Sequence, residues 1–213
     1  MAARRVGQSM LAPCIALVLA GPAMVGCTME RAMPSPTKTA DAGQAISADF
    51  NAEGYRTRRF RAPIDRSPDP ARQMPLSAAL MVQPGRDALF IDVLPVESGV
   101  RDPETGIWRV ASPHSTIPGS LWHPETGRAP PDPLLWRGLR DEIAKARMER
   151  PDLPVVLFCR TDCWMGWNAA RRLAREGVED VHWLAEGVEG WHAAGRALEP
   201  ATPRTIAPDL TKR

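Results

Sequence analysis

The sequence predicts an α/β fold with a mostly parallel central sheet and helices on both faces. Two apolar runs, residues 88–94 and 154–158, are typical of strands buried on both faces of such a sheet. Apolar residues at helical spacing follow the second run, and a further strand is predicted at residues 181–184. This alternation of helix and buried strand indicates a parallel-rich α/β domain.

Residues 1–27 have the pattern of an export signal. Arg4 and Arg5 precede an apolar segment rich in small residues, which is too short and too often interrupted by proline to span a membrane stably. The segment ends in Met-Val-Gly-Cys at Cys27, which resembles the lipobox of bacterial lipoproteins, in which the cysteine is lipidated. Cys27 is therefore a candidate lipidation site. We expect a periplasmic protein, either soluble or tethered to a membrane through Cys27.

Composition divides the remainder into three parts. Residues 28–53 are mostly small and polar and predict a flexible linker, residues 54–203 have the length of one domain, and residues 204–213 predict a disordered tail. The chain has 27 Lys+Arg against 25 Asp+Glu, and the leader holds two of the arginines and no acid, so the rest is balanced. Without a basic run interleaved with aromatics, nucleic-acid binding is not expected.

The first half of the domain is predicted as an arm, a helix, a strand and a loop. Residues 54–64 alternate aliphatic and aromatic side chains with arginines, which predicts an extended arm or edge strand whose arginines face solvent. A short helix is predicted at residues 75–82. Asp92 ends the strand that follows, and we expect it to orient a neighbouring loop by hydrogen bonds. The turn-rich residues 95–112 are expected to wall a site.

The second half is predicted to alternate turns, helices and strands. His114 is expected to be a hydrogen-bonded loop histidine in a turn. Asp132-Pro133 supplies an N-cap and a proline at the first position of a helix. The strand at residues 155–158 follows, then a loop and a helix. After the strand at residues 181–184, residues 186–191 are predicted to turn into a short helix that buries its tryptophan.

Cys159 directly follows the strand at residues 155–158 and is the candidate catalytic residue. A loop that curls from a strand into a helix N-terminus can aim several backbone N–H groups at one point, which would favour a nucleophilic thiolate there. The alternative is that Cys159 is a small buried apolar residue. Arg160 could attract an anionic donor, whereas the charge of Asp162 disfavours a thiolate. The candidate substrate-binding or loop residues are Arg160, Thr161, Asp162, Trp164, Met165 and Gly166.

Cys163 is the second candidate catalytic residue, because the other two cysteines lie in the leader. If the two cysteines share one helical turn, their Cα atoms come within disulfide reach. The pair could then cycle as a redox couple, or Cys163 could resolve a persulfide on Cys159. Alternatively, Cys163 and Trp164 only pack against the sheet. We expect no metal site, because no second Cys-x-x-Cys or His-x-x-x-His pair is present.

Four segments together resemble the landmarks of rhodanese domains in order and spacing: residues 90–93, 114–119, 155–159 and 186–191. More narrowly, residues 54–63, 91–95 and 159–170 are similar to PQQ-dependent catabolism-associated CXXCW-motif proteins. These are exported rhodanese-like proteins encoded beside pyrroloquinoline quinone (PQQ) alcohol dehydrogenases. The block Asp-Cys-Trp-Met-x-Trp-Asn carries most of this likeness, although three residues rather than two separate the cysteines here. A phosphatase is not expected, because Met165 and Gly166 stand where related phosphatases close the loop with arginine.

The resemblance implies sulfurtransferase-type chemistry in which Cys159 accepts sulfane sulfur as a persulfide and Cys163 resolves or exchanges it. It also implies a setting in PQQ-linked alcohol oxidation, without PQQ or another cofactor bound. The expected partner is a small sulfur-containing donor or a periplasmic quinoprotein or cytochrome. Two alternatives remain open: a non-catalytic accessory module for a quinoprotein dehydrogenase or cytochrome c system, and a dithiol–disulfide oxidoreductase.

Overall fold

The computed structural model describes residues 48–208. The leader with Cys27, most of the predicted linker and the last five residues lie outside this range. Within it, the secondary-structure elements are, in chain order, β1 (Arg72–Met74), α1 (Leu76–Ala79), β2 (Leu89–Asp92), β3 (Val100–Arg101), β4 (Trp108–Arg109), β5 (Ser115–Thr116), β6 (Leu121–Trp122), α2 (Pro133–Glu149), β7 (Val155–Phe158), α3 (Trp164–Arg175), β8 (Val181–Leu184), α4 (Gly187–Ala193) and β9 (Glu199–Pro200).

A five-stranded sheet in the order β1-β8-β7-β2-β6 forms the centre, and all its strand pairs are parallel. This confirms the predicted sheet. Phe158 at the end of β7 is paired with Asp92 on one side and with Leu184 on the other. The loops that follow β2, β7 and β8 therefore leave the sheet at the same edge, and this is where ligand and catalytic groups gather in open α/β sheets.

Helices cover both faces of the sheet, as predicted. Alternate residues of β7 point to opposite faces, so Val155 and Leu157 pack in a core cluster with α2 and α3. Val156 and Phe158 pack in a second cluster with α1 and α4. Every residue of β7 is buried, which explains its unbroken apolar sequence.

The start of α2 has the predicted cap. The Asp132 carboxylate accepts hydrogen bonds from the Leu134 and Leu135 amides at 2.8 and 3.1 Å, and Pro133 stands at the first helical position. These bonds satisfy backbone N–H groups that have no partner inside the helix. No helix among residues 48–208 is long and apolar enough to cross a membrane.

The arm at residues 54–64 differs from the expectation in one respect. It is extended but forms only isolated bridges, and the prediction that its arginines face solvent is wrong for Arg56, which is 7% exposed. Arg56 pairs with the buried carboxylate of Asp49 at 3.0 Å, and its guanidinium lies over the rings of Phe50 and Trp164. The paired charge and the aromatic surfaces make this burial tolerable. Residues 49 and 50, from the predicted linker, thus belong to the folded part.

The C-terminal segment also makes more contacts than its sequence suggests. The Ala201 amide donates to the His114 carbonyl and the Arg204 amide to the Trp122 carbonyl, each at 2.8 Å. The Ile206 carbonyl accepts a hydrogen bond from Arg101 at 3.1 Å. As far as residue 208, where the description ends, the segment is held against β3, β6 and the residue before β5.

Candidate functional site

Cys159 and Cys163 form a disulfide at the carboxyl edge of the central sheet, with their Cα atoms 6.0 Å apart. Cys159 follows β7, and its carbonyl accepts a hydrogen bond from the Val188 amide at the start of α4. Cys163 is the N-cap residue of α3. Both side chains belong to the apolar core cluster, with exposures of 1% for Cys159 and 6% for Cys163. The structure therefore joins the two candidate catalytic residues and shields both sulfur atoms.

The path of the loop differs from the helical turn expected for this pair. Cys163 has an extended backbone conformation, with φ −112° and ψ 108°. Asp162 before it has a φ of 55°, in the left-handed region that few residues other than glycine, asparagine and aspartate adopt. The pair is thus joined across a tight connection between a strand and a helix, and not along one helical turn.

The expected convergence of backbone amides on the Cys159 sulfur is absent from residues 48–208. The Trp164 amide, at the first position of α3, donates instead to the Phe60 carbonyl at 2.7 Å. The physical reason is the disulfide, which holds the Cys159 sulfur toward Cys163 and among apolar side chains. In this oxidised state no thiolate exists for the amides to stabilise.

The other loop residues have separate roles. Arg160 is ion-paired with Glu97, which belongs to the long loop expected to wall the site. The Thr161 hydroxyl donates to the Glu186 carbonyl at 2.7 Å and so ties the cysteine loop to the start of α4. The Asp162 side chain is exposed and lines an open cavity of about 370 Å³.

Trp164, Met165 and Gly166 lie in the core and do not line a surface. Trp164 and Met165 are almost fully buried, and the Trp164 ring packs edge-on against Phe50 with centroids 5.1 Å apart. A Cβ at Gly166 would lie 3.2 Å from the Trp183 ring, so the helix packs closely on β8 at this point. The Trp164 side chain, which is 1% exposed, therefore does not reach the surface of the loop.

Asp92 and His114 support the edge of the sheet from the neighbouring strand. The buried Asp92 carboxylate accepts hydrogen bonds from the Leu94 amide at 2.9 Å and the Thr116 hydroxyl at 2.8 Å. The other bond of this carboxylate is to the His114 Nε2 at 2.7 Å, and the His114 ring packs on Trp122. These contacts tie the loop that follows β2 to β5, β6 and the residue before β5, as an orienting role requires.

Residues 60–66, which we call the strap, cross the cysteine loop. The Ala62 amide donates to the Asp162 carbonyl at 2.9 Å, and Arg61 pairs with Cys163 in an antiparallel bridge. The Arg61 guanidinium forms an ion pair with Glu189 of α4 at 3.2 Å. The sequence predicts an extended arm here, but a partner some hundred residues away leaves no local signal.

Comparison with known proteins agrees with this geometry. Residues 87–194 match the rhodanese-like domain family. The chain belongs to this family. The match includes Asp92, His114 and the cysteine loop, whereas the strap lies before it. Neither the curated proteins nor the solved structures contain a match to the chain.

Gly187 is a residue of the rhodanese-like domain that brings α4 against the cysteine loop. Its φ is +57°, and a Cβ at this position would lie 2.3 Å from the Cys159 carbonyl oxygen. Only glycine allows this approach without displacing the loop. A turn is predicted at residues 186–191, and its two glycines, Gly187 and Gly190, are the signal that could have identified the close contact.

His123 was not identified from the sequence and lies beside Asp92 in the rhodanese-like domain. Its amide donates to the Asp92 carbonyl at 2.8 Å. Burial lowers the pKa of His123 from its ordinary 6.5 to about 3, and the positive charge of Arg204 contributes to this shift. Its Nε2 has no hydrogen-bond partner within residues 48–208. The side chain is therefore neutral at pH 7.

The residues described here contain no group of three or more histidine, cysteine or acidic side chains arranged to hold a metal ion. The chemistry that the cysteine pair can supply at the site is that of thiols. It consists of nucleophilic attack by a thiolate and exchange between dithiol and disulfide.

Proposed function

We propose that this rhodanese-like domain carries sulfane sulfur on Cys159 and that Cys163 resolves the resulting persulfide. The observation that carries the proposal is the disulfide between the cysteine that ends β7 and the cysteine that caps α3. A disulfide between these two residues is the product that resolution would leave. Its presence supports a chemical role for Cys163 over one of packing alone.

The proposed cycle consists of two thiolate attacks followed by reduction of the disulfide. In the reduced pair, the Cys159 thiolate attacks the sulfane sulfur of a small donor, so that a new S–S bond forms and the rest of the donor leaves with the electron pair. With thiosulfate as the donor, the leaving group is sulfite. The Cys163 thiolate then attacks the Cys159 Sγ and expels hydrosulfide. The two cysteines are oxidised to the disulfide, the sulfane sulfur is reduced to sulfide, and an external dithiol restores the pair.

The position of Cys163 supports its role as the resolving thiolate. The N-terminus of a helix carries partial positive charge and unpaired N–H groups, which favour a thiolate over a thiol. Cys163 caps a helix of 12 residues.

Arg160 was expected to attract an anionic donor, but its guanidinium forms an ion pair with Glu97. Local charge at the loop therefore offers little advantage to an anionic donor.

The proposed setting is an exported protein of PQQ-dependent alcohol catabolism, either soluble in the periplasm or anchored through Cys27. It is supported by the likeness of the block at residues 162–168 to the CXXCW-motif proteins. We propose a small sulfur-containing donor, or a periplasmic quinoprotein or cytochrome, as partner. PQQ itself is not proposed as a ligand.

A second candidate function is a dithiol–disulfide oxidoreductase. It is favoured by the hydrogen bond from the Trp164 amide to the Phe60 carbonyl, because an amide that keeps this partner after reduction does not stabilise a persulfide on Cys159. In this function the pair passes electrons between thiols and no sulfane sulfur is transferred.

Mass spectrometry of proteolytic peptides separates the two functions. It assigns any added sulfur to the peptide with Cys159 or to the peptide with Cys163, and so excludes sulfur bound to Cys14 or Cys27. The reduced protein is treated with thiosulfate or a polysulfide. If the first proposal holds, Cys163→Ser accumulates one added sulfur on the peptide with Cys159, and the wild-type protein releases one sulfide for each disulfide formed. The matched control is Cys159→Ser, which gains no sulfur on either peptide.

The persulfide proposal fails if Cys163→Ser gains no sulfur. The oxidoreductase function is then favoured if the wild-type pair still exchanges with dithiols and both serine variants lose that exchange. If neither variant changes alcohol-dependent growth of the producing bacterium, a non-catalytic accessory role becomes the better description.

A further inference from the structure

The strap pairs with the cysteine loop in a defined register. Hydrogen bonds from the Ala62 amide to the Asp162 carbonyl (2.9 Å) and from the Trp164 amide to the Phe60 carbonyl (2.7 Å) flank the pair formed by Arg61 and Cys163. In an antiparallel ladder, a pair flanked in this way is of the non-hydrogen-bonded type, with Cα atoms about 4.5 Å apart and side chains on the same face. Disulfides span Cα separations of about 4.4–6.8 Å.

We propose that the strap occupies the place of an extended, cysteine-bearing segment of a partner protein. In the complex, this segment pairs with residues 162–164 as the strap does, and its cysteine stands at the position of Arg61. This inference rests on the proposed cycling of the cysteine pair and names the reductant as a protein dithiol.

The exchange uses the two sulfur atoms of the disulfide differently. The partner's cysteine thiolate attacks the Cys163 Sγ, a bond forms between these two sulfurs, and the bond between Cys159 and Cys163 breaks. Cys159 leaves as a thiolate with the electron pair. A second thiolate of the partner then attacks the partner's own bonded sulfur and releases the Cys163 thiolate. The partner is oxidised to a disulfide and the cysteine pair is reduced.

The strap is held by contacts that a partner segment can replace. Its pairing with the loop uses main-chain groups, which any extended peptide supplies whatever its side chains. The side chain of Arg61 is 56% exposed, and its ion pair with Glu189 lies on the surface. Phe60, Ala62 and Ile64 of the strap also pack against the core cluster, so a partner segment must carry apolar side chains at these positions to take its place.

Charge indicates the kind of segment that fits. Glu189 and the exposed Asp162 present carboxylates beside the strap, and Glu189 is paired with Arg61. A partner segment with basic residues around its cysteine would reproduce this complementarity. An acidic segment would place like charges together.

The register is tested in the full chain by introducing a cysteine into the strap. In a glutathione redox buffer, the variant Cys159→Ser/Arg61→Cys should form a disulfide between position 61 and Cys163, identified by peptide mapping. The matched control, Cys159→Ser/Ala62→Cys, places the new thiol one residue out of register, on the opposite face, and should stay unlinked at this site. Equal cross-linking in the two variants would overturn the inferred register.

Docking is tested in trans with the Cys159→Ser protein and peptides of residues 57–65. The peptides carry Arg61→Cys or Ala62→Cys, and each cysteine is activated as a mixed disulfide with thionitrobenzoate. Attack by the Cys163 thiolate releases the coloured leaving group, and mapping assigns the adduct to Cys163. The Arg61→Cys peptide should react at least tenfold faster than the Ala62→Cys peptide.

Equal rates of reaction of the two peptides with Cys163 would overturn the docking proposal. This result can be obtained even if the two variants with a cysteine in the strap misfold. These experiments use Cys163 alone and involve no sulfane sulfur. They can therefore fail while persulfide formation on Cys159 is observed, and they can succeed while it is not.

Discussion

Reduction of the disulfide between Cys159 and Cys163 is expected to leave the domain folded, with a modest loss of stability. The sequence separation of the two cysteines is four, and for so short a loop the chain-entropy relation gives about 2 kcal/mol. Both side chains lie in the apolar core, so the free thiols can keep their packing. For a domain of this size, the loss corresponds to a fall of about 4–8 °C in the melting temperature.

The measurement is urea unfolding at constant pH with and without dithiothreitol, followed by the fluorescence of the buried tryptophans. The control is the double variant Cys159→Ala/Cys163→Ala, whose transition should not depend on the reductant. If reduction unfolds the wild-type domain, or lowers its free energy of unfolding by more than about 4 kcal/mol, the disulfide acts as a structural staple. A pair that must stay oxidised for folding could not cycle, and the proposed chemistry would be refuted.

Three further predictions concern residues around the site. Because His123 in the folded state binds a proton only near pH 3, whereas the unfolded chain does so near 6.5, the domain should lose about 2 kcal/mol of stability between pH 7 and pH 5. Urea titrations at both values check this, and His123→Phe should show a smaller loss. If the loss is equal in the variant, the burial argument is wrong. Asp92→Asn should lower the free energy of unfolding by about 2–4 kcal/mol, because charge-assisted hydrogen bonds to a buried carboxylate are weakened, and a loss below 0.5 kcal/mol would contradict this role. Gly187→Ala should cost about 3 kcal/mol, since its Cβ would meet the Cys159 carbonyl, whereas Gly177→Ala, which shares a positive φ but has open space around it, should cost about 1 kcal/mol. Equal losses for the two glycine variants would show that the close contact does not matter.

The features that the sequence predicted well are those with a local or periodic signal. The apolar run at residues 155–158 could only be satisfied by burial on both faces, so it predicted both β7 and its central place in the sheet. The cap of α2 was evident from Asp132-Pro133, because a carboxylate followed by proline suits the start of a helix. The position of Cys159 at the carboxyl edge then followed from the strand.

The features that could not be predicted depend on contacts between distant segments. The loop conformation depends on the left-handed backbone of Asp162, and aspartate adopts that conformation in some loops and not in others. Arg56 is buried only because Asp49 and two aromatic rings surround it, and no spacing in the sequence connects these residues. The strap depends on hydrogen bonds to residues about a hundred positions later, for the same reason.

The different exposures of the two cysteines determine the order of events in the proposed cycle. Cys163 lies beside the strap and is the more exposed of the two, whereas Cys159 is enclosed at the end of β7. An incoming thiolate therefore reaches the Cys163 sulfur first, and the electron pair of the broken bond passes to Cys159. The residue freed as a thiolate is then the nucleophile that the next sulfane sulfur requires. If attack instead occurred at Cys159, the nucleophile would be held in a mixed disulfide until the partner's second thiolate released it, whereas attack at Cys163 frees Cys159 in the first step.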